Sequence, residues 1–247
     1  MKIKTTTEFL TGGGGKSNAS AFTLAEVLIT LGIIGIVAAM TLPSVIQKQN
    51  DKEIIAKLKK NYSILSQALI KSQLELGFFE TWEIDTSGGN PEGGGTPANM
   101  KNVYERIKPE LKVIKECEDK AGCWHKGKTK NLGGRELGRA SVGIGDGIFI
   151  FKLADGTNMS IDEFIPDKLN EFFGSNYDKP TYIFWIDANG DKKPNTIGRD
   201  IFAFILTNKG LIPAGIDNNI ACDPKSTTDY SGSACTAKVL AEGKIDY

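Results

Sequence analysis

Histidine is almost missing from this chain: His125 is the one imidazole in 247 residues. That scarcity leaves little for histidine-based metal cages, and the string H-E-x-x-H does not occur. Nor is there a G-x-S-x-G elbow for a nucleophilic serine or a Walker A loop for a nucleotide. No C-x-x-C pair occurs, so a zinc site would have to use Cys117, Cys123 and His125, a thin ligand set. Net charge is absent as well, with thirty Lys and Arg against thirty Asp and Glu. No global field therefore favours nucleic acid. Internal repeats are also lacking. The glycine-rich Gly143-Ile144-Gly145-Asp146-Gly147 precedes a predicted strand, whereas dinucleotide loops follow one, so it reads as a bend. Pairs such as Asp162-Glu163 are expected on the surface, where they are commonplace. These absences leave a membrane-anchored enzyme without a catalytic constellation.

What is present in quantity is an apolar run. Residues 22–46, from Phe22 to Ile46, carry one charge, Glu26, close to the front edge. A bilayer core needs about 20 apolar residues in a helix, and this run is long enough to span with tilt. A removable secretory signal has a shorter apolar stretch followed by small residues. Here Ala19, Ser20 and Ala21 precede the run instead. Gly32, Gly35 and Pro43 inside it are compatible with a membrane helix. A carboxylate inside an apolar segment is costly and needs a partner, so Glu26 distinguishes this run from a plain anchor, in which it would merely snorkel to the interface. Lysines flank both ends (Lys2, Lys4 and Lys16 before; Lys48, Lys52, Lys57, Lys59 and Lys60 after), so charge does not set the orientation.

The order of polar leader, Ala21-Phe22 junction, F-T-L-x-E string and unbroken apolar helix resembles the signal of type IV pilins and type II secretion pseudopilins. The resemblance covers residues 16–60 closely and the remainder only in general layout. It implies removal of residues 1–21 by a prepilin peptidase cutting between Ala21 and Phe22, with N-methylation of Phe22 by the same enzyme. The family's usual Gly before the cut is Ala21 here, still a small side chain. The resemblance further implies that Glu26 pairs with the N-terminal amine of a neighbouring subunit, and that Gly35 and Pro43 fall at family positions. Partners would be other pilin or pseudopilin subunits and the inner-membrane assembly platform. The chain would sit in the inner membrane with its head outside the cytoplasm, then join a periplasmic or cell-surface filament. Pilus, secretion and competence machines share this N-terminus. A minor or tip subunit, recognising a surface, DNA or secreted cargo, is the competing role.

Beyond the apolar run, residues 47–77 continue a helix. Ile54, Leu58, Tyr62, Leu65, Leu69 and Leu76 recur mostly at three- and four-residue steps, and Gly77 is a stop. Pro43 removes a backbone donor and is a place for a kink or local melting. Residues 78–247 should form one α+β head, large enough for its own core. Residues 86–99 read as a glycine- and proline-rich loop. A helix is expected over about 100–115, interrupted at Pro109. Strands are expected in GIFIFKLADGTNMSI, turning at Asp155-Gly156, and again in TYIFWIDANGDKKPN and IFAFILTNKGLIPAG. With the long helix, this matches the lollipop layout that the resemblance implies. Trp82, Trp124 and Trp185 are expected in the core.

The four cysteines fall into two local pairs, Cys117 with Cys123 and Cys222 with Cys235, suited to an oxidising compartment. Four cysteines allow three connectivities, of which the local pairing is the natural choice. The 222–235 segment also resembles the disulfide-bounded C-terminal loop of many type IV pilins. One more segment has ligand spacing. Asp187, Asn189 and Asp191 place oxygens at alternate positions, as hard cations such as Ca2+ require, with Asp200 as a further donor. Glycine stands at the fourth place and no Glu at the twelfth, so an Asn-Gly turn between strands is the alternative.

Overall fold

The computed structural model describes residues 23–82, 97–138, 147–173, 176–216 and 221–247. Its chain divides into two compact units, one ending at Gln47 and the other spanning Lys48–Tyr247. Helix α1 (Leu24–Leu76) runs through the boundary and stays helical past Pro43. In the first unit every described residue is exposed, including Leu28, Ile33, Ile36 and Met40. It is long and apolar enough to cross a membrane by length and composition.

In the second unit, α1 becomes amphipathic and packs on a sheet. Ile54, Ile55, Leu58, Leu65, Ala68 and Leu69 are buried, with Asn61 and Ser72 among them. Tyr62 stacks on Phe204 with ring centroids 4.9 Å apart. Asn61 Nδ2 donates to Thr157 Oγ1 at 2.9 Å, and Lys60 pairs with Asp155 at 2.8 Å. Leu76, placed on the buried stripe by its spacing, is instead exposed, because the helix has by then run past the apolar surface it packs on.

The sheet is a six-stranded antiparallel meander in chain order: β1 (Val113–Glu118), β2 (Phe149–Leu153), β3 (Asn158–Phe164), β4 (Thr181–Asp187), β5 (Ile201–Thr207) and β6 (Gly210–Pro213). Strands β2–β5 are buried on both faces. Phe149, Phe151, Met159, Ile161, Phe184, Ile186, Phe202 and Phe204 face α1 and α2 (Pro97–Ile107). Ile150, Ile183, Trp185, Ala203 and Ile205 lie in a second apolar cluster with Leu169 and Phe173 of α3 (Pro166–Phe173). Burial on two sides explains why TYIFWID and IFAFILT are unbroken apolar runs without polar alternation. The fold is thus α+β and pilin-like: a long N-terminal helix on an antiparallel sheet.

Helix α2 begins at Pro97, inside the segment read as loop; residues 83–96 of that loop lie outside the described residues. It ends at Ile107, and residues 108–110 form a 3-10 turn around Pro109. The predicted helical continuation is corrected: Val113–Glu118 is strand β1, paired with β2, and Ile114 is exposed on it. Pro109 terminates the helix, and the open edge of β2 captures residues 113–118 as its neighbour. The hairpin at Asp155-Gly156 falls as expected. All three tryptophans are buried. Helix α4 (Thr236–Glu242) closes the chain.

Candidate functional site

The processing junction, Ala21-Phe22, lies outside the described residues. Immediately after it the chain builds a reciprocal helix cap. Thr23 precedes α1, and its Oγ1 accepts from the Glu26 backbone N–H at 3.2 Å. The Glu26 carboxylate reaches back, accepting from Thr23 N at 2.8 Å and Thr23 Oγ1 at 2.7 Å. This T-x-x-E capping box satisfies two backbone donors that a helix start otherwise leaves open. The string F-T-L-x-E therefore carries a local structural function in Thr23, which spacing alone would have revealed. Gly35 has open space around it, so nothing in the isolated chain requires glycine there.

Both cysteine pairs are joined locally, Cys117 to Cys123 and Cys222 to Cys235, with Cα separations of 5.8 and 4.8 Å. The first bond removes both thiolates from the zinc reading. Cys235 immediately precedes α4, whose Thr236 Oγ1 accepts from Ala203 N of β5 at 3.1 Å. The loop between Cys222 and Cys235 is polar in sequence, yet Ser231, Ser233 and Ala234 are fully buried. Its backbone is tied to residues 131–135: Leu132 N donates to Ser231 O at 2.8 Å and Asn131 Nδ2 to Thr228 O at 2.8 Å. Arg135 pairs with Asp229.

His125 becomes the centre of a buried chain of bonds. Its Nδ1 lies 2.9 Å from Asp187 Oδ2, and its Nε2 lies 3.0 Å from Thr129 Oγ1. Burial pushes the Asp187 carboxyl up to about 7, against the opposing pull of His125, with Asp200 adding to the rise. Asp200 is also raised by burial, while the backbone N–H groups of Thr196 and Asn195 pull the other way. Those two bonds, at 2.6 and 2.7 Å, fold the 188–199 loop around its carboxylate. Gly190 adopts φ +67°, and a side chain there would strike the Gly156 carbonyl in the β2–β3 turn. The glycine of Asn-Gly thus serves both the turn and the close approach.

The three spacing-selected oxygen donors have different fates. Asp187 turns into the core toward His125. Asp191 reaches the surface and pairs with Lys152 at 2.7 Å. Asn189 donates Nδ2 to Lys193 O at 3.0 Å, leaving Oδ1 buried without a partner. Among the described residues no three His, Cys, Asp or Glu side chains are grouped as a metal cage. The loop and the strand beside it do hold four buried oxygens lacking hydrogen-bond donors: Asp187 Oδ1, Asn189 Oδ1, Asn195 Oδ1 and Asn158 Oδ1. Asn158 sits opposite Asp187 in the β3–β4 register.

Two family models match parts of the chain. Residues 16–42 match the prokaryotic N-terminal methylation motif. Residues 44–133 match a family of unknown function (DUF6613), a span covering the packed part of α1, then α2, β1 and the His125 loop. No curated protein and no solved structure matches the chain significantly. The chain carries a type IV pilin-like prepilin signal. That motif marks it as a pilin- or pseudopilin-type substrate of prepilin peptidase. Motif and apolar helix together are compatible with membrane anchoring followed by filament assembly.

Proposed function

We propose that this chain is a structural subunit of a type IV pilus or a type II secretion pseudopilus. The methylation motif over residues 16–42, leading directly into the apolar first part of α1, is the observation that carries this reading. In it, residues 1–21 are a leader removed between Ala21 and Phe22, and residues 22–46 hold the subunit in the inner membrane. Phe22 is N-methylated, and the assembly platform draws the helix into a filament. The Glu26 carboxylate, held by Thr23 at the helix start, then exchanges intrachain donors for the Phe22 amine of a neighbouring copy. Residues 47–77 and 78–247 supply the extracytoplasmic helix and head.

Mass spectrometry of the mature N-terminus in the native host tests this directly. The expected species begins at methylated Phe22; retention of Met1 in mature filaments would sink the reading. A minor or tip subunit with a binding role is the second reading, favoured by an open cavity beside His125 in the head. Scarcity of the chain in sheared filaments, relative to a major subunit, separates that role from the first.

A further inference from the structure

Among the described residues of the second unit, six large hydrophobic side chains are exposed, and four of them lie together at the end of α1 or just past it: Ile70, Leu74, Leu76 and Phe78. Leu74 is 83% and Phe78 66% exposed. Leu65, Ala68, Leu69 and Ser72 take the buried side of this stretch, so Ile70 and Leu74, one turn apart, form a ridge pointing away from the sheet. Apolar residues scattered singly over a surface need no explanation, but a group of them marks an interaction site. A fifth member of the six, Ile216, lies in a groove of about 560 Å3 between the start of β4 and the β5–β6 turn. Phe79, Tyr177, Pro180, Leu206 and Ile212 complete its apolar lining. Lys179 and Lys209 stand on the rim against one acid, Asp178, and neither lysine forms an ion pair among the described residues. The ridge carries the opposite sign. Glu75 follows Leu74 and is likewise without an ion pair there, Lys71 pairing instead with Glu110.

We propose that the Ile70–Leu74 ridge and Phe78 of one copy of this chain seat in the groove of the next copy, with Glu75 meeting Lys179 and Lys209. The inference rests on the filament reading and names the contact between heads within it. A second copy is the occupant because the prepilin motif implies assembly with other pilin subunits. The two surfaces also match as opposites, ridge to groove and acid to base, and within one molecule the ridge stays exposed rather than filling its own groove. Unlike surfaces joined in this way repeat from copy to copy and, where the rotation closes no ring, generate an open helical filament. Seating removes the apolar group from water, and the rim charges fix the register.

Cysteine cross-linking in filaments sheared from the native host tests the contact. All four native cysteines are bonded in pairs, so an introduced cysteine is the only free thiol. Full-length Leu74→Cys and Ile216→Cys chains, co-expressed and mildly oxidised, are expected to join as a dimer, which requires their Cα atoms to come within about 7 Å. Neither variant alone should dimerise, and Ile114→Cys, exposed on β1, should not join Leu74→Cys. Glu75→Lys should lower incorporation into filaments by about tenfold, and adding Lys179→Glu with Lys209→Glu should restore it. Every substituted position is exposed, so folding is not at stake. Filaments that form without the Leu74–Ile216 cross-link overturn the contact and leave the filament reading standing. Dimers of Leu74→Cys alone, which would pair ridge with ridge, do the same, as does a charge swap that restores nothing. A chain that keeps Met1, or that is cut at Phe22 and never enters a filament, removes both.

Discussion

Individual side chains in the head are placed against their electrostatic preference, and the consequences are measurable. Asp162 and Glu163 of β3, expected at the surface, are instead buried because both faces of that strand are covered, and Asn99 Nδ2 donates to Glu163 Oε2 at 3.1 Å. Burial raises the Glu163 pKa above the ordinary carboxylate value, and the Asn99 bond only partly offsets this. A raised carboxyl means that the folded state holds its proton more tightly than the unfolded chain. Its relative stabilisation is complete below the unfolded value of about 4.3 and is lost as pH climbs through the folded value. Glu163→Gln is therefore expected to raise Tm at pH 7 by about 2–4 °C, equivalent to roughly 1 kcal/mol. That gain should vanish near pH 4; a variant equally or less stable at pH 7 would refute the account. The orphaned oxygens of Asp187, Asn189, Asn195 and Asn158 lead to a second expectation. All four are acceptors, so what this region lacks is a donor or a cation. We propose that Ca2+ meets them, and that millimolar calcium raises Tm while EDTA reverses the rise. An unchanged melting curve would leave water as their partner.

Among the elements, α1 unites two kinds of helix in one. Every described residue of its apolar first part is exposed, so its start depends on local bonds, and the Thr23–Glu26 box supplies them. Two variants separate capping from assembly. Thr23→Val removes the hydroxyl but keeps the carboxylate, whereas Glu26→Ala removes both the cap and the proposed intersubunit partner. Both should insert in the membrane. Filament incorporation, measured in sheared fractions, should fall severely for Glu26→Ala and only slightly for Thr23→Val. Equal losses would show that Glu26 acts through the cap alone. Helix α1 was readable from its repeat because a 3.6-residue period on a long helix is a strong signal. Strand β1 was not. VIKECE alternates weakly, is exposed over most of its length, and becomes a strand because β2 offers an unpaired edge. The short helices α3 and α4 carry too few turns to show a period, and tertiary contacts at Leu169, Phe173 and Val239 decide them.

For the molecule as a whole, the C-terminal region is held by a combination of one covalent bond and many weak ones. The Cys222–Cys235 bond closes a 13-residue separation around a loop in which Ser231 and Ser233 are buried and whose backbone is stitched to residues 131–135. Replacing both cysteines by serine should cost about 2–4 kcal/mol, read as a lower denaturant midpoint with a slope at least as steep, because the freed unfolded chain exposes more surface. Loss of the same order on reducing the wild-type protein, with none in the double variant, would assign the effect to this bond; no change in either would refute it.

The sequence by itself determined the prepilin signal, the membrane-length helix, the α+β class and the β2–β3 hairpin. Each depends on local chemistry: hydropathy over a window, a period, or a turn dipeptide. Spacing also singled out Asp187, Asn189 and Asp191, but not what they touch. Only the tertiary structure decided that Asp187 faces His125, a residue 62 positions away, that Asp191 leaves for Lys152, and that a cavity opens beside them. Those outcomes depend on which loops a two-sided sheet brings side by side, and the cost of burying a charge then selects its partner.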